Sequence, residues 1–157
     1  MLVRKMDEKT LQNTVNLSFK DPVAALLLKN SSLTTAQYES LVIDYLIENM
    51  TDSMLTYKNK ALFRSKKVSR GSFSRTLSQA RSNIISSIYT ILLLAYIGIF
   101  DTAPFDEYRN LAEKLSEYSS IIENMDSFQS SKFVRRIEAE LRDGIRALAE
   151  PGSLRNL

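Results

Sequence analysis

The chain has 157 residues, a formal net charge of +3, and neither cysteine nor histidine. Disulfide bonds, thiolate chemistry and imidazole catalysis are therefore excluded, and the commonest transition-metal ligands are missing. A hydrophobic content of 44% suits one compact core, whereas four glycines and three prolines leave little room for hairpin turns. These numbers predict an all-α protein. The sequence also has no acid pair in an apolar setting, no glycine-rich phosphate loop and no metal-ligand spacing, so we expect neither an enzyme nor a cofactor or metal. The opening "MLVRKMDEKT" lacks a signal-peptide core, so we expect a cytoplasmic protein.

Helix signals begin close to the N-terminus. Leu11, Val15 and Phe19 recur at intervals of four, which is typical of one helix face. In "DPVAALLLKN", Asp21 stands where an N-cap is expected and Pro22 occupies the first helical position. Two helices in succession are predicted here.

The segment "LTTAQYESLVIDYLIENM" predicts a third helix. Thr34 and Gln37 have the spacing of a capping box. A weaker segment, "MLTYKNKALF", follows it. The predicted inward face of the third helix consists of Tyr38, Leu41, Val42, Tyr45, Leu46 and Met50.

A long helix is predicted from an N-cap at Ser69 to a stop at Gly98. Within it, residues 84–100 carry no charge, which raises the alternative of a membrane span. The strongly apolar part is only about ten residues long, so the helix is interpreted as the buried centre of the fold and a membrane partner is not expected. Its predicted inward stripe is Phe73, Leu77, Ala80, Ile84, Ile88, Ile91 and Ala95.

The last third of the chain predicts an antiparallel helical hairpin over residues 101–150, followed by a tail over 151–157. Pro104 starts its first helix, "DSFQSS" interrupts, and the second helix runs from about Lys132 to Ala149. The narrow apolar stripes suit packing on the long helix or on a second copy, so the hairpin is the predicted dimerisation element of a homodimer. The residues assigned to that role are Leu111, Leu115, Tyr118, Ile122, Phe133, Ile137 and Leu141.

Charge is distributed unevenly along the chain. Residues 1–52 hold five basic and seven acidic side chains, and residues 101–157 hold eight and eleven. Between Ser53 and Phe100 there are eight basic side chains and no acidic one. A solvated helix face normally mixes signs, whereas one sign of charge suits a surface that binds a polyanion. The alternative is that this basic block serves solubility or pairs with acidic helices of the same fold.

The order of motifs in and before the basic block resembles a helix-turn-helix. "LTTAQYESLVIDYL", "TYKNKALF" and "VSRGSFSRTLSQARSNI" are similar to the promoter-recognising C-terminal domain of bacterial sigma factors over residues 33–84. The resemblance implies a recognition helix that begins near Ser69, preceded by the longer, glycine-free turn "RSKK" of a variant motif. Residues 1–100 would then form a DNA-binding region within a helical bundle. The matching residues are Leu33, Thr34, Tyr57, Lys58, Ala61, Val68, Ser69, Arg70, Gly71, Arg75, Leu77, Ser78, Ala80 and Arg81.

Two kinds of DNA contact are expected from this region. The first turns of the recognition helix would enter a major groove, where arginine and serine read base edges and a glycine lets the backbone come close. The other basic residues would hold phosphates without reading sequence. The predicted base contacts are Ser69, Arg70, Gly71, Ser74 and Arg75. The predicted phosphate contacts are Lys58, Lys60, Arg64, Lys66, Lys67 and Arg81.

Three functions stay open at this point. The first is a sequence-specific transcriptional regulator that binds double-stranded DNA as a homodimer. The second is an RNA-binding or architectural protein that uses the same surface without base readout. The third is a helical adaptor that docks on an acidic partner or an anionic membrane through residues 84–100.

Overall fold

The computed structural model describes residues 8–49, 57–99 and 105–149, and all regular elements in these ranges are helices, which confirms the predicted all-α class. The chain divides into two compact units, an N-terminal unit up to Ile85 and a C-terminal unit from Ser86 onward. The division falls inside a helix, α4. The elements are α1 (Glu8–Lys20), α2 (Pro22–Lys29), α3 (Thr35–Glu48), a 3-10 helix (Tyr57–Phe63), α4 (Arg70–Tyr96), α5 (Phe105–Ile122) and α6 (Ser127–Ala149).

The helix starts that the sequence predicts in the N-terminal unit are confirmed. The Asp21 carboxylate accepts hydrogen bonds from the backbone amides of Val23 and Ala24, so it satisfies two donors at the start of α2. At the start of α3, the Thr34 hydroxyl accepts from the Gln37 amide, and the Gln37 side chain accepts from the Thr34 amide. This reciprocal pair is a capping box. It fixes the register at which α3 begins.

The core of the N-terminal unit joins residues of α1, α3, the 3-10 helix and α4. Leu11 and Val15 on α1 confirm the predicted stripe, and α1 packs against both α2 and α3. Gln12 of α1 also donates to the backbone carbonyl of Phe63 at the end of the 3-10 helix, at 3.4 Å. The core consists of Leu11, Val15, Ile43, Ile47, Ala61, Phe63, Phe73 and Leu77.

The predicted inward face of α3 is correct only in part. Leu41, Val42 and Leu46 are partly buried and pack against the core, and Tyr38 meets the ring of Phe19. Tyr45 is exposed, and Met50 lies outside the described residues. Ile43 and Ile47 point into the core, and the buried side of the helix also carries Gln37, Glu39, Ser40 and Asp44. Hydrophobic periodicity misassigned part of this helix because much of its buried side is polar.

The prediction for the long helix holds for its first half only. Phe73, Leu77 and Ala80 are buried, but Ile84 and Ile88 are exposed and Ile91 and Ala95 are partly buried. The second half of α4 is therefore not the buried centre of this chain. No helix in the described ranges reaches the length and hydropathy that a membrane crossing requires.

Gly98 ends α4 in the predicted place. Its φ of 79° is in the left-handed region that favours glycine. Its amide donates to the carbonyl of Ala95 at 3.2 Å, and the Ile99 amide donates to the carbonyl of Leu94 at 3.0 Å. These two bonds form the Schellman motif that closes many helices. Residues 100–104, where the sequence places the "DTAP" stop and the start at Pro104, lie outside the described ranges.

In the C-terminal unit, α6 starts five residues earlier than predicted. The Asp126 carboxylate accepts from the Gln129 amide at 2.8 Å and caps the helix, so most of "DSFQSS" is helical. The rings of Tyr118 on α5 and Phe133 on α6 meet edge to face, with centroids 5.5 Å apart. Both lie about one and a half turns from the short link between the helices, which agrees with a hairpin.

The apolar stripes of α5 and α6 are occupied within the chain. Four of the residues predicted to form the dimer interface are buried, and Leu111, Tyr118 and Phe133 are partly buried. Their assignment to dimerisation stays a prediction, and the four buried side chains are the least available to a second copy. The four buried residues are Leu115, Ile122, Ile137 and Leu141.

Candidate nucleic-acid interface

The basic block separates into two groups in the structure, and the acidic side chains of α3 make the difference. One group is paired with carboxylates of this helix, and the other is exposed on the turn before α4 and on its first turns. The side chain of Lys58 lies outside the described part of the chain.

Asp44 is the centre of the first cluster of paired charges. One oxygen of its carboxylate lies 2.8 Å from Lys60 Nζ and the other lies 2.7 Å from Arg81 Nη2. Lys60 Nζ also lies 2.5 Å from the carboxylate of Glu48. The Lys60 side chain is only 2% exposed, whereas those of Glu48 and Arg81 are 66% and 59% exposed. Lys60 is therefore a buried cation neutralised by α3, and Arg81 is paired while still facing solvent.

The environment of Lys60 changes its pKa. Burial by itself lowers the pKa of this ammonium group, but hydrogen bonds and charge from Asp44 and Glu48 outweigh burial, so the pKa is raised above its ordinary value of 10.5. The stabilisation from a raised folded-state pKa is complete below the unfolded value and is lost as the pH rises through the folded value. These ion pairs therefore support the fold up to at least pH 10.5.

Glu39 is the centre of the second cluster. Its carboxylate lies 2.6 Å from Arg64 Nε and accepts a hydrogen bond from the Ser65 amide at 2.5 Å. The Ser65 hydroxyl donates to the same carboxylate at 3.3 Å, and Arg64 Nη1 donates to the Ser40 hydroxyl at 2.8 Å. The side chains of Glu39 and Arg64 are 4% and 7% exposed. This cluster attaches the chain to α3 immediately before Lys66.

The second group of cations has no such partners. Lys66, Lys67, Arg70 and Arg75 are exposed, and none forms an ion pair with an acidic side chain among residues 8–49, 57–99 and 105–149. Lys66 and Lys67 lie on the turn, and the two arginines lie on the first two turns of α4. The unpaired positive charge is thus concentrated within ten residues.

The first turn of α4 is held by an N-cap at its start and by a buried core side chain at its end. The Ser69 hydroxyl accepts from the Ser72 amide at 3.1 Å, which confirms the predicted N-cap. Phe73 is 3% exposed and packs in the core of the N-terminal unit. Because a helix repeats every 3.6 residues, burial of Phe73 leaves Gly71 and Arg75 on the opposite side.

Gly71 is not required by the fold. It has an ordinary negative φ, and a Cβ added at this position would meet no atom within 4 Å. The predicted base contacts Ser69, Arg70, Gly71, Ser74 and Arg75 are all exposed and lie within seven consecutive residues.

The structure gives the predicted phosphate contacts different surroundings. Lys60 and Arg64 are buried in ion pairs, and a phosphate could reach them only if the charges of α3 were left uncompensated. Arg81 is exposed but shares its charge with Asp44. Lys66 and Lys67 are exposed and have no ion-pair partner among the described residues, as expected of a phosphate contact. The basic block holds eight cations. Pairing with acidic side chains of the same fold, the alternative to polyanion binding, therefore accounts for three of them.

The acidic partners were missed by the sequence reasoning, although the sequence carried a signal for them. Ser40, Asp44 and Glu48 recur at intervals of four on α3, and Lys60 and Arg64 have the same spacing. Matched polar stripes on neighbouring segments indicate contact between them. A count of acids by segment leaves pairing with acidic helices open as an alternative, but it does not show which acidic residue meets which basic one.

The described residues contain no group of three acidic side chains that could hold a metal ion. Comparison with protein-family models, with curated proteins and with solved structures finds no match to this chain. The resemblance to sigma factors therefore stays a prediction that rests on the quoted motifs.

Proposed function

We propose that the chain is a DNA-binding protein of the helix-turn-helix type that regulates transcription and presents the first turns of α4 to a major groove. Ser69, Arg70, Gly71, Ser74 and Arg75 would face base edges, and Lys66 and Lys67 would hold the phosphates beside them.

The observation that carries the proposal is the separation of the basic block into paired and unpaired cations. Lys60, Arg64 and Arg81 are neutralised by α3, which accounts for them as structural residues. Lys66, Lys67, Arg70 and Arg75 have no such role among the described residues, and exposed charges of one sign repel one another. A polyanion relieves this repulsion and releases its own counterions on binding.

The position of these cations favours readout of bases as well as attraction to phosphates. Arg70 and Arg75 lie on a rigid helix whose inward side is fixed by Phe73 and Leu77. A helix of this kind fits the major groove, and an arginine held on it can donate two hydrogen bonds to guanine. The Ser69 hydroxyl already accepts one hydrogen bond from the Ser72 amide, so its O–H donor and one acceptor lone pair stay available for a base.

A binding selection on random duplex DNA at near-physiological salt tests this proposal. We expect enrichment of a defined motif, and we expect Arg70→Ala with Arg75→Ala to weaken binding to that motif by at least tenfold, since each arginine–guanine pair contributes about 1–3 kcal/mol of discrimination. Arg136→Ala with Arg142→Ala is the matched control. It removes the same charge from exposed arginines that pair with Glu140 and Glu138.

Backbone-only binding to RNA or DNA is the second candidate, since the unpaired cations alone would support it. In that case no motif would be enriched, and duplex RNA would compete as well as DNA. Lys66→Ala and Lys67→Ala should weaken binding to all sequences alike and lower the salt slope by about one each. Absence of any salt-dependent binding would refute both candidates.

Gly71→Ala separates close approach to DNA from folding. Alanine should stabilise a helix interior by roughly 0.5–1 kcal/mol relative to glycine, and no neighbour obstructs the added methyl group. We expect a variant that is at least as stable as the parent but binds the selected duplex several-fold more weakly. Gly144→Ala on α6, where an added Cβ also meets nothing, should gain stability without losing affinity. Equal affinity for both variants would show that the backbone at Gly71 does not approach the DNA.

A further inference from the structure

The second half of α4 carries a large uncovered apolar surface within the C-terminal unit. Six of its side chains are between 45% and 89% exposed, and no charged residue occurs between Ser82 and Phe100. We call this set the α4 apolar face. It consists of Ile88, Tyr89, Leu92, Leu93, Tyr96 and Ile97.

We propose that the α4 apolar face is the surface through which two copies of this chain associate. Monomeric proteins seldom leave a contiguous patch of several hundred Å² of large apolar side chains in water. The central residues of the α5 and α6 stripes are already buried within the chain, and the large apolar side chains that these helices expose, Ile121, Phe128 and Ile145, are far apart along the sequence. The α4 apolar face is therefore the largest run of exposed apolar side chains in the described part of the unit.

The area is the first reason to choose a second copy. The six side chains are on average about 60% exposed. At roughly 150–250 Å² for an aromatic ring and somewhat less for Leu and Ile, they present on the order of 600 Å². Each partner in a stable protein interface contributes about 600–1,000 Å², so the face reaches the lower end of that range. A symmetric pair needs one such patch per chain, because both copies use the same surface.

The pattern of the face is the second reason. Ile88, Leu92 and Tyr96 form one row at intervals of four, and Tyr89, Leu93 and Ile97 form the adjacent row. Two such rows enclose a groove, and rows of this spacing on one helix fit the grooves of an identical helix at a crossing angle of about −50°. The face has no charge that would select an acidic or basic partner, so its complementarity is to a surface like itself.

The proposal does not depend on DNA binding, although it would supply what that function needs. A single recognition helix makes few base contacts, and a two-fold pair doubles them. The oligomeric state is measured without nucleic acid, so failure of one proposal leaves the other intact.

Sedimentation equilibrium of the full chain between about 1 and 100 μM, without DNA, tests the proposal. We expect a monomer–dimer equilibrium that Tyr89→Gln with Leu93→Gln weakens at least about 100-fold, because a symmetric dimer loses each apolar contact twice. Leu62→Gln with Phe128→Gln is the control, since these side chains are 77% and 79% exposed but lie outside the face. Arg70→Ala with Arg75→Ala should leave the dimer unchanged. Circular dichroism checks that each variant is folded.

Cysteine cross-linking locates the contact directly, because the chain has no cysteine of its own. Single substitutions Tyr89→Cys, Leu92→Cys and Tyr96→Cys are oxidised in turn, and at least one should give a disulfide-linked dimer at low protein concentration. Leu62→Cys should not.

Three outcomes would overturn the proposal. The chain could remain monomeric throughout the concentration range, or it could form a dimer that survives Tyr89→Gln with Leu93→Gln. It could also bind vesicles of phosphatidylglycerol and phosphatidylcholine through the face while showing no self-association.

Discussion

Glu39→Ala is expected to lower the free energy of unfolding of the N-terminal unit by about 3–5 kcal/mol, the range for removing one partner of a buried ion pair. Glu39 accepts from both Arg64 and Ser65, and the Arg64 side chain is nearly inaccessible to water. Without the carboxylate, a buried guanidinium and a backbone amide lose their acceptor, and the solvent cannot replace it. Thermal and urea denaturation followed by circular dichroism measure the loss.

Glu48→Ala is the matched control for this experiment. It removes a carboxylate from the same helix and from an ion pair of similar length, but Glu48 is 66% exposed and Lys60 keeps Asp44. An exposed pair contributes about 0–1 kcal/mol, so only a small change is expected. If both variants lowered the free energy of unfolding equally, burial would not be the reason why the Glu39 cluster stabilises the fold.

Phe73→Ala is expected to cost about 3–5 kcal/mol, because it removes a large side chain from a packed core and leaves a cavity. Phe73 is 3% exposed and lies between Arg70 and Arg75 in the sequence. Loss of the Phe73 ring should also weaken DNA binding, because the first turns of α4 would no longer be held in place. The substitution removes no charge. Chemical denaturation gives the first effect and duplex titration at low temperature gives the second.

The control for Phe73→Ala is Phe128→Ala on α6, where the ring is 79% exposed. A substitution at an exposed position usually changes stability by no more than about 0.5 kcal/mol. If Phe73→Ala unfolded at the same denaturant concentration as the parent, the first turns of α4 would not be held by the core.

Local signals in the sequence predicted the helix starts well. Asp21, Thr34 and Ser69 are caps, and a cap depends on a hydroxyl or carboxylate and on the residues within three positions of it. The α6 start was misplaced because "DSFQSS" was interpreted as a loop of polar residues, although its first residue, Asp126, is itself a cap.

The candidate interface could be predicted only in part, because a pairing between distant segments decides it. Lys66 and Lys67 lie on the turn before the Ser69 cap, Arg70 directly follows that cap, and Arg75 lies opposite the buried Phe73. The burial of Lys60 depends on Asp44, 16 residues away along the chain, and that of Arg64 depends on Glu39, 25 residues away. No local pattern fixes which basic residue finds an acidic partner. Likewise, the composition of an apolar run such as the second half of α4 does not show whether the run is buried within the chain or exposed to another molecule.

The two oxygens of Asp44 also bear on how distant segments of the chain are held together. They join α3 to Lys60, 16 residues later, and to Arg81, 37 residues later. Closing the longer loop costs little more entropy than closing the shorter one, because the cost rises only with the logarithm of length. One carboxylate on α3 therefore ties two distant segments, the 3-10 helix and α4, to the same point of the N-terminal unit.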